Sequence, residues 1–550
     1  MLVTGERFVR VAAYSVLLTA IGAAPATSPT APPVMSDDVR IAGWVDQLSA
    51  ADPDTRVAAA SHLEDLPPTD LPLMEAAFAR HDLSPDANVA LSQMMPRVRQ
   101  RAKLAAIRAH RHEQMSPYYQ SQALAGYDHG GHTNPQWDDA ARAFLRADGD
   151  LYRLEGPPLD AARPGVAGQM RAVLATGCND PTVLAAAGML STDTGATAPA
   201  VALLFARAAR ELPTAPGISP LYRLIIDGRR LSYAASIRPA ARQVLAAVIA
   251  AAEADLPTQF QRLLATPGLP PYVAVEMADA AFDRTSTLKL PLKPILDGVL
   301  DPLLAAYPNE AAAVALRGQA MVHYAWEARG AGYADTVTPQ GEADFEDRLG
   351  QAKTLLSQAY HMDPDVNEAA DDMLTVARGL QFDRPTMEMW YRRAIAANPD
   401  DTDATDRRLT FLEPKWGGDP DAMLQFGRDV VADGNFYSSL PTILVEAHQR
   451  LADHYAPDAD AYWLRPGVWD DVRSVYEGYL KRRGRFTDYY RNALARAAVR
   501  CHQWHSADEQ FKQLGDKADP AWYPGHTRAA LDAARQTAAR LADQLDQQGR

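Results

Sequence analysis

The chain has 550 residues, 47% of them hydrophobic and 23% charged, with a formal net charge of −14. That length and apolar content suffice for a long continuous core and exclude a natively disordered chain. The acidic balance, with no sustained basic run, argues against nucleic acid as a partner, because a phosphate backbone would be repelled.

At the start of the chain, Arg7 and Arg10 precede an apolar run over residues 11–24 that closes on Gly22, Ala23 and Ala24 before Pro25. This charged, apolar and small-residue order predicts a signal peptide over residues 1–24, cut near Ala24 or Ala26, and a periplasmic or extracellular protein. The run is too short and interrupted to span a bilayer comfortably, and none of that length follows, so the mature chain is expected to hold no stable membrane span. Residues 25–38 (PATSPTAPPVMSDD) have little to bury and read as an extended linker. Segments such as VLAAVIAAAEA (residues 244–254) favour helix, and alternating strand patterns are scarce.

Residues 39–112 open with Ile41, Trp44, Val45 and Leu48 at amphipathic helix spacing, followed by Asp52 and Pro53 starting a second helix with Val57, Ala60 and Leu63. The phrase ADPDTRVAAASHLEDL (residues 51–66) resembles the second helix of HEAT-like repeats. Further helices are predicted over 71–80 and 86–111. Gly130, Gly131 and Pro135 then punctuate a surface loop over 113–136. Residues 137–290 carry helical patterns at 137–152, 165–176, 181–190, 198–211, 238–254, 256–264 and 273–282, separated by Pro and Gly. Within 291–455 a helix pair over 294–330 and a loop over 331–342 precede the clearest repeat: Ala352, Leu356, Ala359 and Pro364 recur 35 residues later as Met387, Tyr391, Ala394 and Pro399. Asp363 or Asp365 is expected to cap the helix bearing Ala369, Met373 and Ala377, and Asp419 or Asp421 the helix after Gly417 and Gly418. Over 456–550, Ala507, Phe511, Leu514 and Pro520 repeat the second-helix pattern before a polar terminal helix at 527–547. The predicted fold is all-α, a helical-hairpin solenoid in the manner of tetratricopeptide and HEAT repeats.

The phrases AWEARGAGYADTV (residues 325–337), MWYRRAIAANPDD (389–401) and LEPKWGGDPDAMLQFG (412–427) resemble an uncharacterised bacterial domain family of tetratricopeptide-like proteins, a domain of unknown function. The resemblance covers roughly residues 290–455. It implies helical-repeat architecture and transfers no catalytic residue.

Asp128, His129 and His132 in YDHGGH are the sharpest chemical cluster, two imidazoles and a carboxylate that suit a transition metal and would centre a metal-assisted hydrolase. The bland reading, an exposed loop, is favoured. Cys501 and His505, beside His502, would share a metal if one helix carried both, although Trp504, Ala507 and Phe511 claim that stretch for packing. Ser286 and Lys289 spell S-x-x-K without its companion elements, in a stretch that reads as linker. Cys178 and Cys501 are the only cysteines and read as two buried free thiols. Tyr455, Tyr462, Trp463, Trp469, Tyr476, Tyr479, Phe486 and Tyr489, with Arg482, Arg483 and Arg485, read first as core and second as a glycan-binding groove. No catalytic, cofactor-binding or metal residue is assigned. The expected function is an exported, non-enzymatic scaffold that binds a protein or peptide along its concave surface.

Overall fold

A computed structural model describes residues 36–80, 83–236, 239–330, 332, 336–454, 459–482 and 486–548. The expected signal peptide, most of the linker, Tyr455, Arg483 and Arg485 lie outside the described residues. Among the described residues the protein is all-helical, with no strand. The helices are α1 (Asp37–Gln47), α2 (Pro53–Glu64), α3 (Leu71–Arg80), α4 (Pro85–His129), α5 (Asp138–Leu151), α6 (Gly156–Ala175), α7 (Pro181–Asp193) and α8 (Ala198–Glu211). Next come α9 (Pro220–Ser236), α10 (Pro239–Leu264) and α11 (Pro271–Leu288). Lys293–Ile295, a π turn at Leu296–Leu300 and Asp301–Ala306 form α12 together. Then follow α13 (Ala311–Arg329), α14 (Pro339–Met362), α15 (Asn367–Gly379), α16 (Arg384–Ala397), α17 (Thr402–Phe411) and α18 (Pro420–Ala432). The last are α19 (Ile443–His454), α20 (Ala459–Tyr462), α21 (Val468–Arg482), α22 (Thr487–Arg500), α23 (Trp504–Leu514) and α24 (Arg528–Gln547).

Starts are set locally. Asp52, Asp180, Asp383 and Asp401 each stand at an N-cap and accept backbone N–H bonds from the first turn, as Asp419 does from Ala422 at 2.8 Å. Proline at the first turn costs nothing there, since its missing N–H would have had no helical partner. The cap expected from Asp363 or Asp365 is displaced: Val366 holds the N-cap of α15 without a side-chain bond, and Asp363 turns instead to the backbone N–H of Asp365 at 3.0 Å.

The chain forms two compact units. Unit 1 is residues 104–380, and unit 2 joins residues 36–103 to 381–548, so the N-terminal helices share a unit with the C-terminal ones.

In unit 1, α5 packs on α6, α7 on α8, α9 on α10 and α13 on α14. The second helix of one pair touches the first helix of the next, as α8 does α9 and α14 does α15, and first helices also meet: α5 with α7, α7 with α9, α9 with α11, α11 with α13 and α13 with α15. Apolar stripes face these contacts. Leu349, Ala352, Leu356 and Ala359 of α14 are fully buried, each leucine contributing about 1.5–3 kcal/mol. Their equivalents 35 residues later, Met387, Tyr391 and Ala394 of α16, are buried within unit 2.

In unit 2, α1–α3 and the first part of α4 enclose a core of Ile41, Val45, Leu63, Met74 and Leu91. Polar contacts join this arm to the C-terminal helices. Arg101 donates to both oxygens of Asp400 at 2.7 and 2.6 Å and to Asn435 at 2.9 Å, while Gln100 donates to the Ala397 carbonyl and Arg482 pairs with Asp65.

Two expected breaks are helix. The loop placed at 113–136 shrinks to the few residues after His129, because Tyr119, Ala123 and Tyr127 form one buried stripe of α4. Gly126, inside that stretch, is a contact point: a Cβ there would sit 3.1 Å from Thr182 Oγ1 and 3.2 Å from the Ser219 backbone nitrogen. The two helices expected over 238–254 and 256–264 are, among the described residues, one helix, α10 (Pro239–Leu264), with Pro257 inside it against Gly298.

Close helix approach gives a paired expectation. A Cβ at Gly427 would meet the Leu444 Cα at 2.8 Å, whereas one at Gly350 meets nothing within 4 Å. Gly427→Ala should therefore destabilise unit 2 by about 1–3 kcal/mol, and Gly350→Ala should stabilise unit 1 by about 0.5–1 kcal/mol. Urea unfolding midpoints check both; equal midpoints for Gly427→Ala and the parent would show that α18 and α19 are not in tight contact.

Candidate functional site

A cluster of tyrosines and carboxylates with shifted acidities gathers in unit 1, where residues of α4, α5, α7, α9 and α11 meet. Helices α4 and α5 are held close: a Cβ at Gly149 would lie 2.7 Å from the Gln120 Cβ, Ser116 donates to the Gly149 carbonyl at 2.8 Å, and Gln120 donates to the Arg146 carbonyl at 2.9 Å. This approach brings Asp148 and Tyr152, one helical turn apart, against Tyr119 of α4. The rings of Tyr119 and Tyr152 stack at 4.6 Å, and the Tyr119 hydroxyl donates to Glu276 Oε2 of α11 at 3.3 Å. Tyr222 of α9 completes the wall, 1% exposed, and Asp193 stands at the end of α7.

Asp148 is 6% exposed, and no hydrogen bond to its carboxylate exists among the described residues. Burial, with Asp193 adding repulsion, pushes it up to about 7. Asp193 and Glu276 keep one side open to water while protein closes round the rest. That partial desolvation raises both, against Arg163 and Arg229 near Asp193, and against the Tyr119 hydrogen bond and Arg229 at Glu276. Tyr119, Tyr152 and Tyr222 are all held protonated, first by burial and then by the neighbouring carboxylates Asp148 or Glu276. The result is a cluster of aromatic rings around one buried carboxylate, Asp148, that has no donor to hold its charge, which chemically suits a cation. Among the described residues no group of three His, Cys, Asp or Glu side chains is arranged to hold a metal ion.

The residues singled out in the sequence lie elsewhere. Asp128 pairs with Arg142 at 2.9 Å, His129 Nδ1 meets the Ala125 carbonyl at 2.9 Å, and His132 contacts Thr214 Oγ1 at 3.1 Å and Asn179 Oδ1 at 3.5 Å. Each of the three thus faces a different partner. Cys501 closes α22 while His505 rides α23 toward Asp546, so the one-turn spacing supposed for them is absent; His502, at φ 55°, stacks on Trp504. Ser286 belongs to the last turn of α11, not to a linker, and Lys289 is its left-handed cap. Cys178 and Cys501 are both buried and unpaired, and burial pushes each thiol up to about 11. Of the C-terminal aromatics, Tyr462, Trp463 and Tyr479 are core, Tyr479 stacking on Tyr490 at 3.9 Å, whereas Tyr489 is exposed beside Trp522.

None of Tyr119, Asp148, Tyr152, Asp193, Tyr222 and Glu276 was singled out as functional in the sequence. Tyr119 lies in the stretch expected as a loop, and the remaining five are isolated letters spread over four helices, α5, α7, α9 and α11. The one available signal was Asp148 falling on the buried stripe with Ala141, Phe144 and Leu145. Compared with protein families and with curated proteins, the chain matches no family model and no curated sequence. No helix among the described residues is long and apolar enough to cross a membrane.

The sign of the Asp148 shift fixes a pH dependence. Its folded value of about 7 lies above the ordinary 3.8, so ionising it costs stability that is lost as pH rises through that window. Asp148→Asn should melt above the parent at pH 8, and the gap should close on acidifying to pH 4. A gap that stays constant over this range in thermal scans would mean that the cluster does not desolvate the carboxylate.

Proposed function

We propose that unit 1 is a tetratricopeptide-like solenoid whose first helices, α5, α7, α9 and α11, present a face that binds a protein or peptide partner. The support is the contact order: each first helix touches its own second helix and the first helix of the next pair, the arrangement by which stacked hairpins shield one another. The partner is recognised by shape and charge without bond making, and a lysine or arginine side chain meets the tyrosine cluster. The observation that carries this reading is the stacked Tyr119–Tyr152 pair beside a buried Asp148 carboxylate without a hydrogen-bond partner. A cation there gains an aromatic contact of about 1–2 kcal/mol in a desolvated setting and relieves the repulsion that Asp193 exerts on Asp148. The net charge of −14 steers basic partners toward the molecule. Export, expected from residues 1–24, belongs to the same reading and makes the partner an envelope or extracellular protein.

Fluorescence anisotropy with labelled peptides tests it. A set containing lysine or arginine should bind the full chain, and the norleucine counterparts should bind at least ten-fold more weakly. Asp148→Asn and Tyr152→Ala should each weaken the basic peptides about ten-fold, and binding should fall with salt. Equal affinity for the norleucine set, or variants that bind as the parent does, would refute the proposal.

A further inference from the structure

Unit 2 holds a second polar constellation with the opposite character, in which every group is partnered. His448 of α19 is 1% exposed. Its Nε2 lies 3.1 Å from Asp471 Oδ2 on α21 and its Nδ1 lies 2.9 Å from the Tyr462 hydroxyl on α20. Arg428 of α18 grips the same carboxylate, from Nε at 3.0 and 3.1 Å and from Nη2 at 2.7 Å. An ionised carboxylate only accepts hydrogen bonds, so Nε2 carries the imidazole proton. Nδ1 is then the acceptor, and the Tyr462 O–H donates to it. Burial alone would raise Asp471, but the bonds from His448 and Arg428 outweigh it and hold the carboxyl below its ordinary range, ionised throughout the neutral region.

The chain of contacts places a nucleophile on a base and the base on an orienting carboxylate, the logic by which side-chain hydroxyls are activated. It also borders open space. A cavity of about 180 Å³ is lined by His448 and Tyr462, by the apolar Leu424, Leu451 and Val468, and by Arg465 at its rim. The Arg465 guanidinium lies 5.0 Å from the centre of the Tyr462 ring, within cation–π range.

We propose that this cavity is an acyl-transfer site for esters of small apolar acids, with Tyr462 the nucleophile and His448 its general base. The Tyr462 oxygen attacks the ester carbonyl carbon while His448 Nδ1 takes the phenol proton. The carbon–oxygen bond to the alcohol then breaks, and that proton passes from His448 to the departing oxygen, leaving acyl-Tyr462 and a free alcohol. Water, deprotonated by His448, hydrolyses the aryl ester to the carboxylic acid and restores the phenol. Leu424, Leu451 and Val468 contact the acyl group, Arg465 faces the oxyanion, and Asp471 with Arg428 are positioning groups that fix the imidazole tautomer.

The full chain mixed with 4-nitrophenyl acetate tests this directly. The expected result is a burst of nitrophenolate approaching one equivalent, with acetyl found on Tyr462 by peptide mass spectrometry. Tyr462→Phe should abolish the burst, and His448→Gln should slow it about 100-fold or more. The measurement on the unaltered protein decides the matter even if a variant fails to fold. No burst, or acetyl groups confined to lysines, would overturn the proposal and leave the constellation as a tie between α18, α19, α20 and α21.

Discussion

Close approach of neighbouring helices at small residues is the constraint on which both units depend. A Cβ at Gly318 would lie 2.8 Å from Leu356 Cδ2 and Cγ, one at Gly188 2.8 Å from the Phe205 ring, and one at Gly149 2.7 Å from Gln120. Alanine carries much of the remaining contact, as at Ala352, Ala359 and Ala369. Helices this near can each bury a narrow stripe on two or three neighbours, so no single large core is needed. The same proximity brings side chains from helices far apart in sequence within reach of one another, and both polar sites exist because of it.

Those two sites show what surroundings do to one residue type. Asp148 sits among tyrosines with no donor to hold its charge, and its acidity is weakened. Asp471 is also shielded from water, yet His448 and Arg428 hold it ionised. The first environment leaves the carboxylate without an internal counter-charge. The second is complete within itself, and its use lies in setting the state of an imidazole. Desolvation is common to both; the presence or absence of internal donors separates them.

Most of the helices could be read from periodicity, because apolar spacing and proline punctuation report local events. Met387, Tyr391 and Ala394 were legible as counterparts of Ala352, Leu356 and Ala359 since packing repeats with the pair. Reading failed where a residue serves a distant contact. Gly126 falls in the stretch expected as a loop but lies where α4 passes Thr182 and Ser219, and nothing near it in sequence says so. The polar sites failed for the same reason. Tyr119, Asp148, Tyr222 and Glu276 come from four helices, as Arg428, His448, Tyr462 and Asp471 do, and neither set has a spacing that a motif could capture. The compact cluster Asp128, His129 and His132 was conspicuous in the sequence because it is local, and its members serve different partners.

The discontinuity of unit 2 has a consequence for how the protein comes into being. A ribosome delivers residues 36–103 long before residues 381–548, with the 277 residues of unit 1 between them. The early segment nonetheless carries its own apolar nucleus of Ile41, Val45, Met74 and Leu91, while its junction with the late helices is made largely of side-chain hydrogen bonds from Gln100, Arg101 and Arg482. The residues of that nucleus all come from the early segment, so its apolar side chains find one another without the late helices. The later docking then adds the bonds of Gln100, Arg101 and Arg482, exchanging contacts with water for contacts with protein.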